Sequence, residues 1–259
     1  MAPVAAAVVV ALLFLQAVVR LRRRGRADLA GRDRVALFAL GLAVTVFALV
    51  GPLDRIADEK LLAAHMGQHV LIGDLGPALM VTAVRGPLLV FLLPAPLLAP
   101  LARSPLRRAL ATLLRPPVAF SLWAANLAVW HVPRLYDLAL AHHGLHDFEH
   151  VCWAVAGTLL WTLLVDPGGH RRLTVGGRVA LAAAMFAAGQ VLTDVLVFSF
   201  TSLYPWYHGA YGISAVTDQQ LSGIVMMVEQ LASLATCVAL LLRPRARRTR
   251  AAGLAAARA

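Results

Sequence analysis

The chain has 259 residues, 60% of them hydrophobic and only 14% charged, with a mean hydropathy of +0.74. So much apolar surface excludes an ordinary soluble domain and points to a polytopic membrane protein. The formal net charge of +11 would suggest nucleic acid in a soluble protein, but 23 of the 24 basic residues are arginine and most fall in short clusters between apolar runs. That is the positive-inside pattern and excludes a nucleic-acid footprint. Cys152 and Cys237 are too few for a disulfide framework, and neither matches a CxxC motif.

Seven apolar runs are long enough to form membrane helices. The first, residues 2–19, lacks a basic leader and is followed at once by Arg20, Arg22, Arg23, Arg24 and Arg26, which predicts a retained helix with its N-terminus outside, not a cleaved signal peptide. Residues 35–51 return outward to Pro52 and an acidic stretch, Asp54, Asp58 and Glu59. Residues 61–84 go inward to Arg85. The segment 87–102 carries prolines at 87, 94, 96 and 100, which remove backbone donors and break helical continuity, so it reads as an interfacial or re-entrant piece. Helices at 117–131, 145–165, 179–200 and 219–242 complete the expected bundle. On this topology 21 of the 24 basic residues face the cytoplasm, and only Arg55, Lys60 and Arg134 lie outside. The expectation is one all-α membrane domain, residues 1–259, with its N-terminus outside and its C-terminus in the cytoplasm.

The same topology places eight of the nine histidines at the outer side: 65, 69, 131, 142, 143, 146, 150 and 208. His65 and His69 are four residues apart, as are His146 and His150, so each pair shares one helix face. Two helices with such pairs at similar depth can converge on one metal ion or two, and His131 ends a third helix at that level. Met66 could add a thioether for a cuprous ion, although it sits one residue off the histidine face. The plainer reading, histidines meeting interfacial water or headgroups, predicts no bias between the two faces of the membrane. His146-Asp147-Phe148-Glu149-His150 is not a zinc-protease motif, since no Glu follows His146 directly. Asp147 and Glu149 could orient ring nitrogens or be solvated interface charges. His142 and His143 read as loop residues, and His208 as part of an aromatic belt with Tyr204, Trp206, Tyr207 and Tyr211.

Three acids lie inside apolar runs: Asp74, Asp194 and Glu229. Such residues are costly in hydrocarbon and normally face a bundle interior, either in a packing network with partners such as Gln190 and Gln230 or along a proton or ion path. Met226 and Met227 read as core.

His65-Met66-Gly67-Gln68-His69, Trp130-His131-Val132-Pro133-Arg134-Leu135-Tyr136-Asp137 and Leu145-His146-Asp147-Phe148-Glu149-His150 resemble, in this order, the CtaG family of multispanning bacterial cytochrome c oxidase assembly factors (caa-type oxidase). Leu203-Tyr204-Pro205 and Asp218-Gln219-Gln220-Leu221-Ser222-Gly223-Ile224-Val225-Met226 fit it too, so the resemblance covers about residues 60–230. It departs after Met226, where Met227 stands in place of an expected aromatic residue. The resemblance over these 259 residues leads us to expect a member without the copper-resistance domain fused to some relatives.

The resemblance implies a plasma-membrane protein, not an enzyme, that binds copper, as Cu(I), and supplies it to an oxidase subunit. A periplasmic copper donor would be a further partner beside the lipid bilayer. The implied site residues are His65, His69, His131, His146 and His150, with Asp218 and Gln219 as a signature. Two alternatives fit the residues: a haem-binding redox protein using opposed histidines, and a metal or proton transporter using the intramembrane acids.

Overall fold

The computed structural model describes the backbone of residues 2–256 and the side chains of most of residues 3–243; the ends of the expected domain, residues 1 and 257–259, lie outside the described residues. Among the described residues the chain is all-α. Its order is α1 (Ala2–Arg23), α2 (Arg32–Val50), α3 (Pro52–Glu59), α4 (Leu62–Val70), a π-helical turn (Leu71–Leu75), α5 (Gly76–Ala83), α6 (Pro87–Phe91), α7 (Ala95–Arg103), α8 (Pro105–Leu113), α9 (Pro116–Trp130), α10 (Pro133–Ala141), α11 (His143–Val165), α12 (Val175–Phe198) and α13 (Ala215–Ala256).

Helices stand at all seven expected positions. Five stretches are long and apolar enough to cross a membrane: Pro3–Arg23, Ala27–Val50, His143–Val165, Val175–Phe198 and Ala215–Arg243. The other two differ from simple spans. Residues 62–83 form one helical path interrupted by the π turn, and α9 has 15 residues. The Pro-rich segment forms α6 and α7, of 5 and 9 residues, too short to cross at 1.5 Å per residue. Gln16 and Arg20 of α1 donate to the carbonyls of Phe91, Leu92 and Leu93 and so hold the free C-terminal end of α6.

Several boundaries differ from the expectation for local reasons. The first run stays helical through Arg23, because arginines are good helix formers. α12 begins at Val175, four residues early, because the Thr174 hydroxyl accepts from the Gly177 N–H and caps it. α13 begins at Ala215 behind Ser214, whose hydroxyl accepts from the Thr217 N–H.

The core bundle packs α4 with its π turn and α5 against α2, α11 and α13, while α12 lies along α13 and α9 along α11. A second cluster joins α1 and α2 through Phe14, Phe38 and Leu88. Large apolar residues stay exposed on the outer faces, such as Val8 and Leu12 of α1, Val191 of α12 and Leu231 of α13, a surface suited to lipid.

The chain reversals sort to two ends. At one end Arg34 donates to the Arg85 carbonyl, the Gly86 N–H donates to the Pro167 carbonyl, and Arg178 pairs with Asp166 at 2.7 Å. At the other end α3, α10 and the loop 199–214 close over the start of α4 and α11.

One close approach sets the position of α11. Pro77 has no N–H, so the Gly73 carbonyl lacks its usual α-helical donor, and the π turn forms there. Gly157 of α11 lies against that carbonyl, which a side-chain Cβ at position 157 would strike. Gly157→Val should therefore push α11 from the π turn and destabilise the protein by about 1–3 kcal/mol. Thermal unfolding in detergent reads this as a lowered Tm, whereas an unchanged Tm would show the contact to be loose.

Candidate metal centre

The centre is built by the faces of α4 and α11. On α4, Leu62, His65, Met66 and His69 recur at helical spacing, and all are buried. On α11, His146, Glu149, His150, Trp153 and Gly157 form one buried stripe beside exposed Asp147, Phe148 and Val151. The Gly157 contact with the π turn draws the two faces together.

Four histidines converge there. One ring nitrogen from each of His65, His69, His146 and His150 lies within 4.8 Å of the other three. Around one tetrahedral ion with metal–nitrogen bonds of about 2.0–2.1 Å, such atoms sit roughly 3.3 Å apart, so small side-chain rotations close the set on an ion. None of the four residues is more than 6% exposed. Nε2 of His146 and Nε2 of His150 are buried without a hydrogen-bond partner. Such a vacancy is costly in a dry interior, and a cation bound by the lone pairs removes the cost.

Hydrogen bonds around the cluster assign the tautomers. The Tyr207 hydroxyl donates to the Ala57 carbonyl at 2.6 Å, so its oxygen accepts from the His65 Nδ1–H at 3.0 Å. That leaves His65 Nε2 as a bare lone pair, 2.9 Å from His69 Nε2, which carries the hydrogen between them. Burial holds the Tyr207 hydroxyl well above the ordinary phenol value, so it stays a neutral donor. Glu149 Oε1 lies 3.4 Å from His69 Nε2 and accepts from Trp153 Nε1, also at 3.4 Å. Of the two acids weighed beside the histidines, Glu149 faces the ring and Asp147 is exposed.

Asp58 closes the cluster from α3. Its Oδ1 is buried without a hydrogen-bond partner, 3.8 Å from His146 Nε2. Burial, reinforced by Asp54, Glu59 and Asp147, pushes its carboxyl up to about 7. The Asp58 carbonyl accepts from Trp206, so the 199–214 loop is tied to the same edge.

Asp218 and Gln219 brace the centre from α13. The Asp218 carboxylate accepts from the Leu62 N–H at 2.7 Å and the Ala63 N–H at 3.0 Å, satisfying free donors at the start of the helix that carries His65 and His69. Gln219 accepts from the Leu203 N–H and donates to the Leu196 and Thr201 carbonyls, which fixes the loop carrying Tyr204 and Tyr207.

Met66 and His131 do not join the four-histidine group as expected. His131 ends α9 beside Trp153, whose indole lies 5.9 Å from its ring centroid and 5.3 Å from that of His69. Its Nδ1–H donates to the Leu127 carbonyl, and its Nε2 lies 3.3 Å from Met66 Sδ. Both residues, with His69, line a cavity of about 50 Å³ that continues past Met226 to Asp74 and Glu229.

Asp74 accepts from Trp161 Nε1 at 2.6 Å and from Ser233, while both Glu229 oxygens are buried without a partner. Asp194 does not reach this group. It is exposed on α12, bonded to Gln190 one turn away, because position 194 falls on the outward face beside Val191 and Val195. His142, His143, His170 and His208 are exposed. The residues missed from sequence were Tyr207, Tyr136 and Asp58. The signals for them were the acidic stretch before Lys60, the aromatics of the loop and, for Tyr136, whose ring centroid lies 5.1 Å from that of His65, the motif running from Trp130 to Asp137.

Fold and site together define a helical membrane protein with a buried four-histidine centre. The chain matches the family described as "Cytochrome c oxidase caa3 assembly factor (Caa3_CtaG)" over residues 12–247, and it belongs to that family. It is 27% identical over 234 residues to "Uncharacterized protein Mb0105" of Mycobacterium bovis, and equally to "Uncharacterized protein MT0111" of Mycobacterium tuberculosis. In each case the alignment takes in 85% of this chain and 34% of the relative, so the chain spans about a third of the length of these curated relatives. No solved structure matches it.

The bracing role of Asp218 is open to test. Asp218→Ala frees two N–H groups at the head of α4 and should cost about 2 kcal/mol of stability. Asp218→Asn, which keeps one acceptor, should recover part of the loss. Equal thermal unfolding for wild type and both variants would contradict the capping role.

Proposed function

We propose that the protein takes up copper, as Cu(I), at the four-histidine centre and delivers it to a cytochrome c oxidase subunit during oxidase assembly. The single observation that carries this reading is the convergence of His65, His69, His146 and His150 with two ring nitrogens left unpartnered. Imidazoles suit copper, zinc and iron alike. Membership of an oxidase assembly family favours copper among them.

In this reading the chain crosses seven times with its N-terminus outside, and the centre faces the extracytoplasmic side of the plasma membrane. The supporting feature is the sorting of chain reversals, with Arg34, Arg85 and Arg178 at the end away from the histidines. A metal at that side is available to an oxidase subunit or to a periplasmic donor. The compactness of the cluster favours an ion over a haem, whose macrocycle must fit between its two axial ligands. The cavity leading from His69 to Asp74 and Glu229 supports a second role, a proton or ion path coupled to loading.

The test is copper retention by the purified full chain in detergent, loaded anaerobically with Cu(I) and desalted. His65→Ala/His69→Ala should retain at least about tenfold less copper than wild type while keeping its helical signal. Equal copper in both would overturn the site.

A further inference from the structure

We infer that Met66, His131 and the Nδ1 atom of His69 form a second, softer metal site beside the four-histidine centre, suited to a cuprous ion. This deepens the copper-delivery reading and rests on it for the source of the ion.

Three donors meet at one cavity. Met66 Sδ and His131 Nε2 lie 3.3 Å apart, and neither atom carries a hydrogen, because the single proton of His131 is committed at Nδ1 to the Leu127 carbonyl. Two lone-pair donors facing each other gain nothing from the contact unless a cation sits beside them. Met66 is fully buried and His131 is 7% exposed, so water from the bulk does not satisfy them. His69 turns Nε2 towards His65 and Glu149, while its Nδ1 is buried without a partner on a ring that lines the same cavity.

The remaining walls include apolar Trp123, Leu127 and Met226, with Asp74, Thr193, Glu229 and Gln230 also lining the cavity. A thioether with two imidazoles in a dry pocket matches the preference of Cu(I) and disfavours zinc, which seeks harder or anionic donors. About 50 Å³ accommodates an ion with little repacking. When the second site is filled through Nδ1, His69 keeps its Nε2–H towards His65 and Glu149, and His65, His146 and His150 hold the other ion.

Cu(I) or Zn(II) alone is added anaerobically to the full chain in detergent, and stoichiometry and copper X-ray absorption are read. Wild type should hold about two cuprous ions but about one zinc, with a sulfur neighbour in the copper shell. Met66→Leu, close in volume and thus fold-preserving, should halve the cuprous loading, abolish the sulfur neighbour and leave zinc unchanged. A wild-type copper shell of nitrogen alone, or Met66→Leu with wild-type copper loading, would overturn the second site. His65→Ala/His146→Ala separates the two readings: a retained sulfur-ligated copper supports the second site whether or not the four-histidine centre binds, and loss of that signal contradicts it.

Discussion

Buried imidazole nitrogens without partners govern this structure. Each ring carries one donor and one acceptor when neutral, and in a dry helical interior an unmet nitrogen costs about 1–3 kcal/mol. His146 and His150 each present such an atom to the same small volume, next to His65 Nε2, which accepts from His69. A cation satisfies all of these lone pairs at once, whereas apolar packing satisfies none. The neighbouring elements can be understood as means of holding four rings in this otherwise unfavourable arrangement.

The means are backbone contacts as much as side chains. The π turn at Leu71–Leu75 lets α11 approach through Gly157, which sets the separation of the two histidine faces. Asp218 anchors the first turn of α4 from a helix that contributes no ligand, and Gln219 fixes the loop from which Tyr207 orients His65. Asp218 and Gln219 of α13 thus act at a distance from the four histidines, through the helix and the loop that position them.

Much of this arrangement was legible in the sequence. The i, i+4 pairs specify shared helix faces by geometry alone, and arginine clustering orders the helices, so His65, His69, His146 and His150 could be assigned to one level of the bundle. The meeting of Met66 with His131 at 3.3 Å was not legible, because spacing along the chain does not report how α4 and α9 are turned towards each other. Asp194 illustrates the same limit: an acid in an apolar run is expected to face inwards, yet its angular position on α12 leaves it exposed beside Gln190. Asp58 and Tyr207 reach the site from short connecting elements, where neither helical period nor spacing carries information. Glu149 and Asp147, equivalent by composition, are separated by the rotation of about 200° that two residues span on a helix.

The most direct measurement is an anomalous-difference map at the copper edge from crystals of the copper-loaded protein. A peak enclosed by His65, His69, His146 and His150 is expected, with nitrogen contacts of about 2.0–2.1 Å. A loaded protein whose copper peaks lie elsewhere, with His65 and His69 still hydrogen-bonded to each other, would contradict the assignment of the centre.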